Sequence, residues 1–410
     1  VSPGTPVDKT FTLTLSGSAG GTQTITSVVI VNHVNSTPTF SSTAVTAVTP
    51  GETYTLAITT TDSDGDVPAL SGGTLPSWLA LTDKGDGTAT LTGTPSGSDL
   101  GIVDVVITAN DGTSNSANNS ATLSFSIQVS KQPAGSGTET DPYLIAALSE
   151  LYWLTQTESG WGSGKYYLQT ADIDASSTVN WDGGKGFKPL GYGYSNAFNA
   201  SYDGGGYVIS GLTINRPDEE KVAFIGFNWG GNAKLQNLGL VDVNISAKRT
   251  AAGLVAWCSG MEISKCYTTG QVTVTADSAG GLVCREFSSL TITDCYSTCT
   301  VNASSGIAGG LIAWGNQSGC TITNCYSAGS VTASYSAGGF IGMVGAVVQN
   351  SYWDTEASGQ TTNGAETGLT GLTTSQMQTA STFTAAGWST AIWNMVDGSY
   401  PTLKPPAMPN

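Results

Sequence analysis

Basic residues, histidine and long apolar runs are what this chain of 410 residues has least of. Lys and Arg number 14 against 30 Asp and Glu, so the formal charge is −16 at pH 7, and charged residues of all kinds make up 11%. A chain so acidic and so poor in cations should be repelled by nucleic acid and by anionic membranes, so no nucleic-acid partner is expected. No apolar run approaches the length of a membrane-crossing helix, so membrane insertion is not expected. The one histidine is His33. Its isolation removes Ser-His-Asp chemistry from the rest of the chain, and no Gly-rich phosphate loop precedes a helix. The sequence opens at Val1 without a signal peptide, as a mature form or a segment of something longer does. The 7 Cys all fall between Cys258 and Cys325 without a Cys-x-x-Cys pair, which excludes the usual zinc spacings.

Glycine is abundant instead, with 53 residues, and it recurs in a pattern. Gly followed by two large apolar residues stands at Gly253-Leu254-Val255, Gly281-Leu282-Val283, Gly310-Leu311-Ile312 and Gly339-Phe340-Ile341. About a dozen residues later come Cys266-Tyr267, Cys295-Tyr296, Cys325-Tyr326 and a worn Ser351-Tyr352. A fixed period near 29 residues, β-branched and without helical spacing, predicts a β-solenoid whose rungs bury their apolar faces against each other.

The runs "AAGLVAWCSGMEISKCYTTGQVTVTA", "AGGLVCREFSSLTITDCYSTCTVNAS" and "AGGLIAWGNQSGCTITNCYSAGSVTAS" resemble the GLUG repeats of bacterial secreted and cell-surface proteins. The resemblance covers about a third of the chain and implies an extracellular or cell-surface location. It does not imply a chemistry, because such repeats accompany adhesins, proteases and polysaccharide-acting proteins alike.

Upstream, residues 36–130 read as a complete small β-sandwich with strands near 53–60, 78–82, 88–92, 102–109 and 121–129. "YTLAITTTDSDGD", "LPSWLALTDKGDGTATLTGTP" and "DVVITANDG" resemble a cadherin-like domain of the dystroglycan type. Residues 1–35 read as a hairpin. "DKTFTLTLSGSAGGTQTITSVVIV" aligns with the last two strands of that sandwich, so the hairpin resembles the end of a preceding domain. Its apolar residues Phe11, Leu13, Leu15, Ile25, Val28 and Ile30 need a cover, either within the chain or from a second copy added head to tail. Residues 131–222 read as a linker, a capping helix with Leu144, Leu148, Leu151 and Leu154 at helical spacing, and irregular first rungs. The regular repeats occupy 223–352, and 353–410 reads as a C-terminal cap. The expected fold is all-β: an Ig- or cadherin-like sandwich, then a β-solenoid with short capping helices.

Four candidate sites follow. Asp62, Asp64 and Asp66 alternate at the end of a strand, where three carboxylates repel one another unless a hard cation joins them. The cadherin-like resemblance implies calcium there, with Asp111 as a fourth ligand. Counting four from each repeat Gly gives Trp257, Arg285, Trp314 and Met343. Exposed, this column suits a sugar ring; covered, it is a stabilising cation–π ladder contributing about 0.5–2 kcal/mol per contact. The residues Lys265, Asp294, Asn324 and Asn350 before each dipeptide form another column, expected to exchange an ion pair and amide hydrogen bonds. Stacked strands lie about 4.8 Å apart, which a disulfide tolerates, so Cys295 can bridge to Cys266 or Cys325 or all three can be buried thiols. Glu262, Asp277, Glu286 and Asp294 are scattered carboxyls with no paired-acid motif. These features imply a non-enzymatic surface protein, an adhesin or a fibre subunit, whose partners are copies of itself, surface polysaccharide or host protein. The alternative is a β-helix that binds or degrades polysaccharide.

Overall fold

The computed structural model describes residues 7–16, 22–31, 35–112, 119–315, 319–343, 345–363 and 368–406. The chain divides into two units, Val1–Lys131 and Gln132–Asn410.

In the first unit, strands Val7–Ser16 and Thr22–Val31 pair antiparallel along their whole length, from Val7 opposite Val31 to Ser16 opposite Thr22. The side chains of Phe11, Leu13, Leu15, Ile25, Val28 and Ile30 lie outside the described residues. The sandwich consists of two four-stranded sheets. Its long strands are Tyr54–Thr61, Leu79–Asp83, Thr88–Gly93, Gly101–Asn110 and Ser120–Val129, close to the positions expected from alternation. Tyr54, Leu56, Ile58 and Thr60 point inward while Thr55, Ala57, Thr59 and Thr61 are exposed. That period of two buries one face and solvates the other. The inward residues join Leu91, Val105, Ile107 and Ile127 in the core.

The second unit is a parallel β-solenoid. One turn consists of Thr250–Ala252, Val255–Cys258, Met261–Ser264 and Tyr267–Val274, and each strand pairs in register with its counterpart one turn on. Equivalent turns begin at Lys221, Thr250, Ser278, Ile307 and Ser336, which makes five. The repeat glycine sits where rungs approach most closely. A Cβ on Gly281 would strike the Gly310 carbonyl and the Ser297 hydroxyl. Inside the coil, Thr268 donates to the Gly281 carbonyl at 2.9 Å, and Ser327 to that of Gly339 at 2.6 Å. The recurring Gly and the buried hydroxyl one strand away are therefore two halves of one turn.

Two expectations change at the N-terminal end. The segment expected to be a linker already belongs to the solenoid unit, since Ala134 bridges to Leu144 and the Tyr166 amide donates to the Gly137 carbonyl. The helix is shorter than its leucines suggest. Tyr143–Ile145, including Leu144, forms the first strand of a solenoid sheet, and the helix runs Leu148–Gln156 with Leu151 and Leu154 fully buried. Glu150 sets its start by accepting the amides of Ala146 and Ala147 at 2.6 and 3.0 Å.

The C-terminal segment also departs from a simple cap. Leu369–Leu372 pairs with Ser351–Asp354 and covers the last rung. The chain then turns back along the side of the solenoid. Two short helices, Thr374–Met377 and Ala380–Ala385, bring Met377, Phe383, Trp388 and Trp393 against Tyr296 and Tyr326, and Leu403 to Pro406 reach the turns at Gly206 and Lys265. The cause is the tyrosine of the repeat. Tyr267, Tyr296 and Tyr326 point outward and stack ring on ring at 4.8 Å with planes within 7°. An outward column of this kind has to be covered, and the C-terminal strap covers it. Tyr326 Oη donates to the Pro401 carbonyl at 2.7 Å, and Trp388 Nε1 to the Asn350 carbonyl at 2.9 Å. Tyr400 Oη donates to the buried Asp354 at 2.6 Å.

Candidate functional site

The most developed surface feature is an aromatic and cationic strip on the outer face of one solenoid sheet. Parallel pairing in register puts Phe227, Trp257, Arg285, Trp314 and Met343 on successive rungs. The Arg285 guanidinium lies 5.9 Å from the Trp257 ring centre and 4.8 Å from that of Trp314, so it is held between two indoles. Trp257 is half-buried and donates its Nε1 to the Thr250 hydroxyl at 3.0 Å, while Trp314 is 39% exposed.

The strip is wider than the column read from the sequence. Trp229 and Phe287 lie just past the ends of these strands, two residues after Phe227 and Arg285. Trp229 stacks on Phe227 at 5.8 Å, and Phe287 packs against Trp257 at 4.9 Å and Trp229 at 5.5 Å. Tyr194, 70% exposed, meets both Phe227 and Trp229 edge-on at about 5 Å. Lys221 rests its ammonium 4.8 Å from Trp257 and 5.4 Å from Phe227. Reading the first turn as a repeat whose Gly is replaced by Ala223 would have found Phe227, and its alternate neighbour Trp229. Tyr194, from an insertion between early rungs, carries no periodic signal.

Charge reaches the strip through a relay. Arg249 pairs with Glu220 at 3.2 Å and Asp277 at 3.4 Å, and Asp277 also holds Arg285 in a short ion pair. Asp277 therefore positions a guanidinium. The other carboxyls considered for chemistry are engaged elsewhere. Glu262 pairs with Lys234 at 3.4 Å, Glu286 is buried beneath the strip, and Asp294 accepts from Trp393 Nε1 at 3.1 Å and Asn324 Nδ2 at 3.3 Å.

The column Lys265, Asp294, Asn324 and Asn350 has a backbone cause that the side-chain reading missed. All four have φ between 47° and 54°. This left-handed corner favours Asn and Asp over other non-glycine residues. The Asn324–Asp294 hydrogen bond is secondary to it.

The disulfide alternative is corrected, because all seven cysteines are free and buried. Cys266 donates its amide to Cys295 Sγ at 3.3 Å, and Cys295 its amide to Cys325 Sγ at 3.4 Å. The thiols of Cys295 and Cys325 turn back to the carbonyls of Thr293 and Thr323 at 3.2 Å. Each sulfur accepts from the adjacent rung's amide instead of bonding to its sulfur. Burial pushes the thiols of Cys266 and Cys295 well above their ordinary range, so they are not nucleophiles.

In the sandwich, Asp62, Asp64 and Asp66 each offer an oxygen, all within 4.8 Å of one another. Asp62 Oδ1 accepts the Asp64 amide at 2.8 Å, and Asp64 accepts the Ser36 amide at 2.6 Å and its hydroxyl at 3.3 Å. Asp111 stands outside this trio and accepts from Asn35 Nδ2 at 2.7 Å.

In comparison with known proteins, residues 37–130 match the family described as "Putative Ig domain". Over 249 residues, 58% of this chain, the sequence is 33% identical to halomucin of Haloquadratum walsbyi, of which the match covers 3%. Over 118 residues, 29% of the chain, it is 31% identical to a protein named "Putative Gly-rich membrane protein" of Evansella cellulosilytica, 13% of which is covered. Among solved structures, the SrpA adhesin from Streptococcus sanguinis overlaps 28% of this chain and 66% of its own at 16% identity and a TM-score of 0.21. The chain thus spans a small part of the two sequence relatives. Its architecture is an Ig-like domain followed by a β-solenoid of five turns.

Proposed function

We propose that this chain is a non-enzymatic extracellular surface protein of the adhesin type, in which the sandwich acts as a spacer and the solenoid as the binding element. The observation that carries this reading is the division of labour on the solenoid. The carboxyls Asp277 and Asp294 are consumed in ion pairs and hydrogen bonds, whereas Trp314 and Tyr194 project into solvent. A net charge of −16 spread thinly over a surface rich in Ser, Thr and Gly supports an exterior location, as does the similarity to halomucin and to a protein named as a membrane protein. The GLUG character of the repeats and the cadherin-like type of the sandwich belong to the same proposal. So does calcium at Asp62, Asp64 and Asp66, favoured by the convergence of three carboxylates and by Oδ2 of Asp62, which is buried and has no hydrogen-bond partner among the described residues. Protease treatment of intact cells expressing the full chain tests the location. Removal of the chain from unbroken cells is expected, and survival until lysis would contradict it.

A second reading, head-to-tail assembly, is favoured by the first hairpin. Its two ten-residue strands form a sheet that gains no third strand among the described residues. An unpaired strand edge is a template for strand addition by another copy.

A further inference from the structure

The aromatic strip also carries cations. Of 14 Lys and Arg, three stand along its edge: Lys221, Arg249 and Arg285. Arg249 and Arg285 share the carboxylates of Glu220 and Asp277. Lys221 differs, because among the described residues its ammonium meets ring faces and no carboxylate. A half-buried ammonium against two rings has lost part of its hydration and regains most by meeting an anion. Trp314 and Trp257 are two rungs apart, about 9.6 Å along the solenoid axis. That spacing matches a short run of sugar rings in an extended chain better than one monosaccharide.

We infer that the strip formed by Tyr194, Trp257, Arg285 and Trp314, with Lys221 at its edge, is the docking site of an anionic polysaccharide lying along the solenoid axis. The sugar rings pack on the exposed parts of Trp314 and Tyr194 and pass along the outer edge of Trp257, whose two faces are taken by Lys221 and Arg285. Its carboxylate or sulfate groups meet Lys221 and the guanidinium of Arg285. This deepens the binding reading above and rests on it for the solenoid being the binding element, not for the cellular location. Charge complementarity selects the occupant. A neutral glycan would use the rings and leave Lys221 unanswered.

The test is affinity electrophoresis of the full chain through gels containing polygalacturonate, dextran sulfate or neutral dextran, with Trp314→Ala and Lys221→Gln beside wild type. Retardation is expected in one or both polyanion gels and not in dextran; the responding gel tells carboxylate from sulfate. Trp314→Ala should weaken the interaction by about threefold to tenfold, the size of one lost ring contact. Lys221→Gln should weaken it several-fold, and both variants should still fold and melt within a few degrees of wild type, since each loses only its cation–π contacts. Absence of retardation in both polyanion gels overturns the inference. Equal retardation in dextran, or an unaffected Trp314→Ala variant, overturns it too, as does a concentration-dependent dimer that Trp314→Ala dissociates. A chain stripped from intact cells by protease that ignores both polyanions refutes this inference alone. Polyanion binding by a chain that protease cannot reach refutes the location alone.

Discussion

Replacing Cys295 by Ser should cost little and replacing it by Val a great deal, although Val is the residue that a buried apolar site would ordinarily accept. Cys295 is fully buried, accepts the Cys266 amide at 3.3 Å and donates to the Thr293 carbonyl at 3.2 Å. The last rung already holds the serine version: Ser351 Oγ accepts the Cys325 amide at 3.1 Å and donates to the Gln349 carbonyl at 2.8 Å. Ser at 295 keeps both bonds and should destabilise by less than about 1 kcal/mol, within the net worth of one hydrogen bond. Val leaves the buried Cys266 amide without its acceptor, at about 1–3 kcal/mol, and adds a branch to a close-packed rung, at about 1–3 kcal/mol more. The expected difference between the variants is therefore at least about 1 kcal/mol. Urea unfolding followed by tryptophan fluorescence reports on the correct unit, because Trp78 is the only tryptophan of 10 before Gln132. If Ser and Val are equally damaging, or both neutral, the sulfur is filling space and the hydrogen-bond ladder is wrong. Alkylating the denatured, unreduced chain must also label all seven thiols, and two fewer would mean a disulfide.

Alkali should weaken the solenoid before the sandwich. Burial raises the Cys299 thiol to about 11 and that of Cys284 to about 12, so the folded chain retains protons that the unfolded chain sheds above about pH 8.5. That stability is complete below pH 8.5 and is lost as pH rises toward 11–12, by about 1.4 kcal/mol per pH unit per thiol. A flat denaturation midpoint from pH 8 to about 11 would contradict the burial of these groups. Calcium at a hundredfold excess over its dissociation constant should stabilise the sandwich by about 2.7 kcal/mol, and Asp64→Asn should abolish the effect. An unchanged melting curve on adding chelator to the calcium-loaded chain would remove calcium from the account. Deleting residues 1–35 should turn a self-associating chain into a monomer by light scattering; a full-length chain already monomeric at high concentration would exclude assembly through the hairpin.

The solenoid was legible because its constraint is local and repeated. Each Gly281-type approach forbids a Cβ, so four Gly-apolar-apolar steps marked the rungs and the in-register column Trp257, Arg285, Trp314 followed by counting. The sandwich strands were legible for a similar reason, since Tyr54 to Thr61 alternates without interruption. Features depending on distant segments were not. The C-terminal strap is placed by the tyrosine column it covers, and that demand shows only once Tyr267, Tyr296 and Tyr326 are known to face outward. Leu144 fits a helical spacing with Leu148, Leu151 and Leu154, yet pairing with Leu168 on the next strand overrides it. Lys265 hid the left-handed corner, because Lys is an unusual occupant of a position where its neighbours are Asp294, Asn324 and Asn350.

The central claim, that the solenoid binds and does not catalyse, is tested most directly by turnover. The full-length chain is incubated with a panel of neutral and anionic polysaccharides, and newly formed reducing or unsaturated ends are counted against a heat-denatured control. No release above that control is expected. Release that persists through purification and disappears in Glu286→Gln or Asp294→Asn would contradict it.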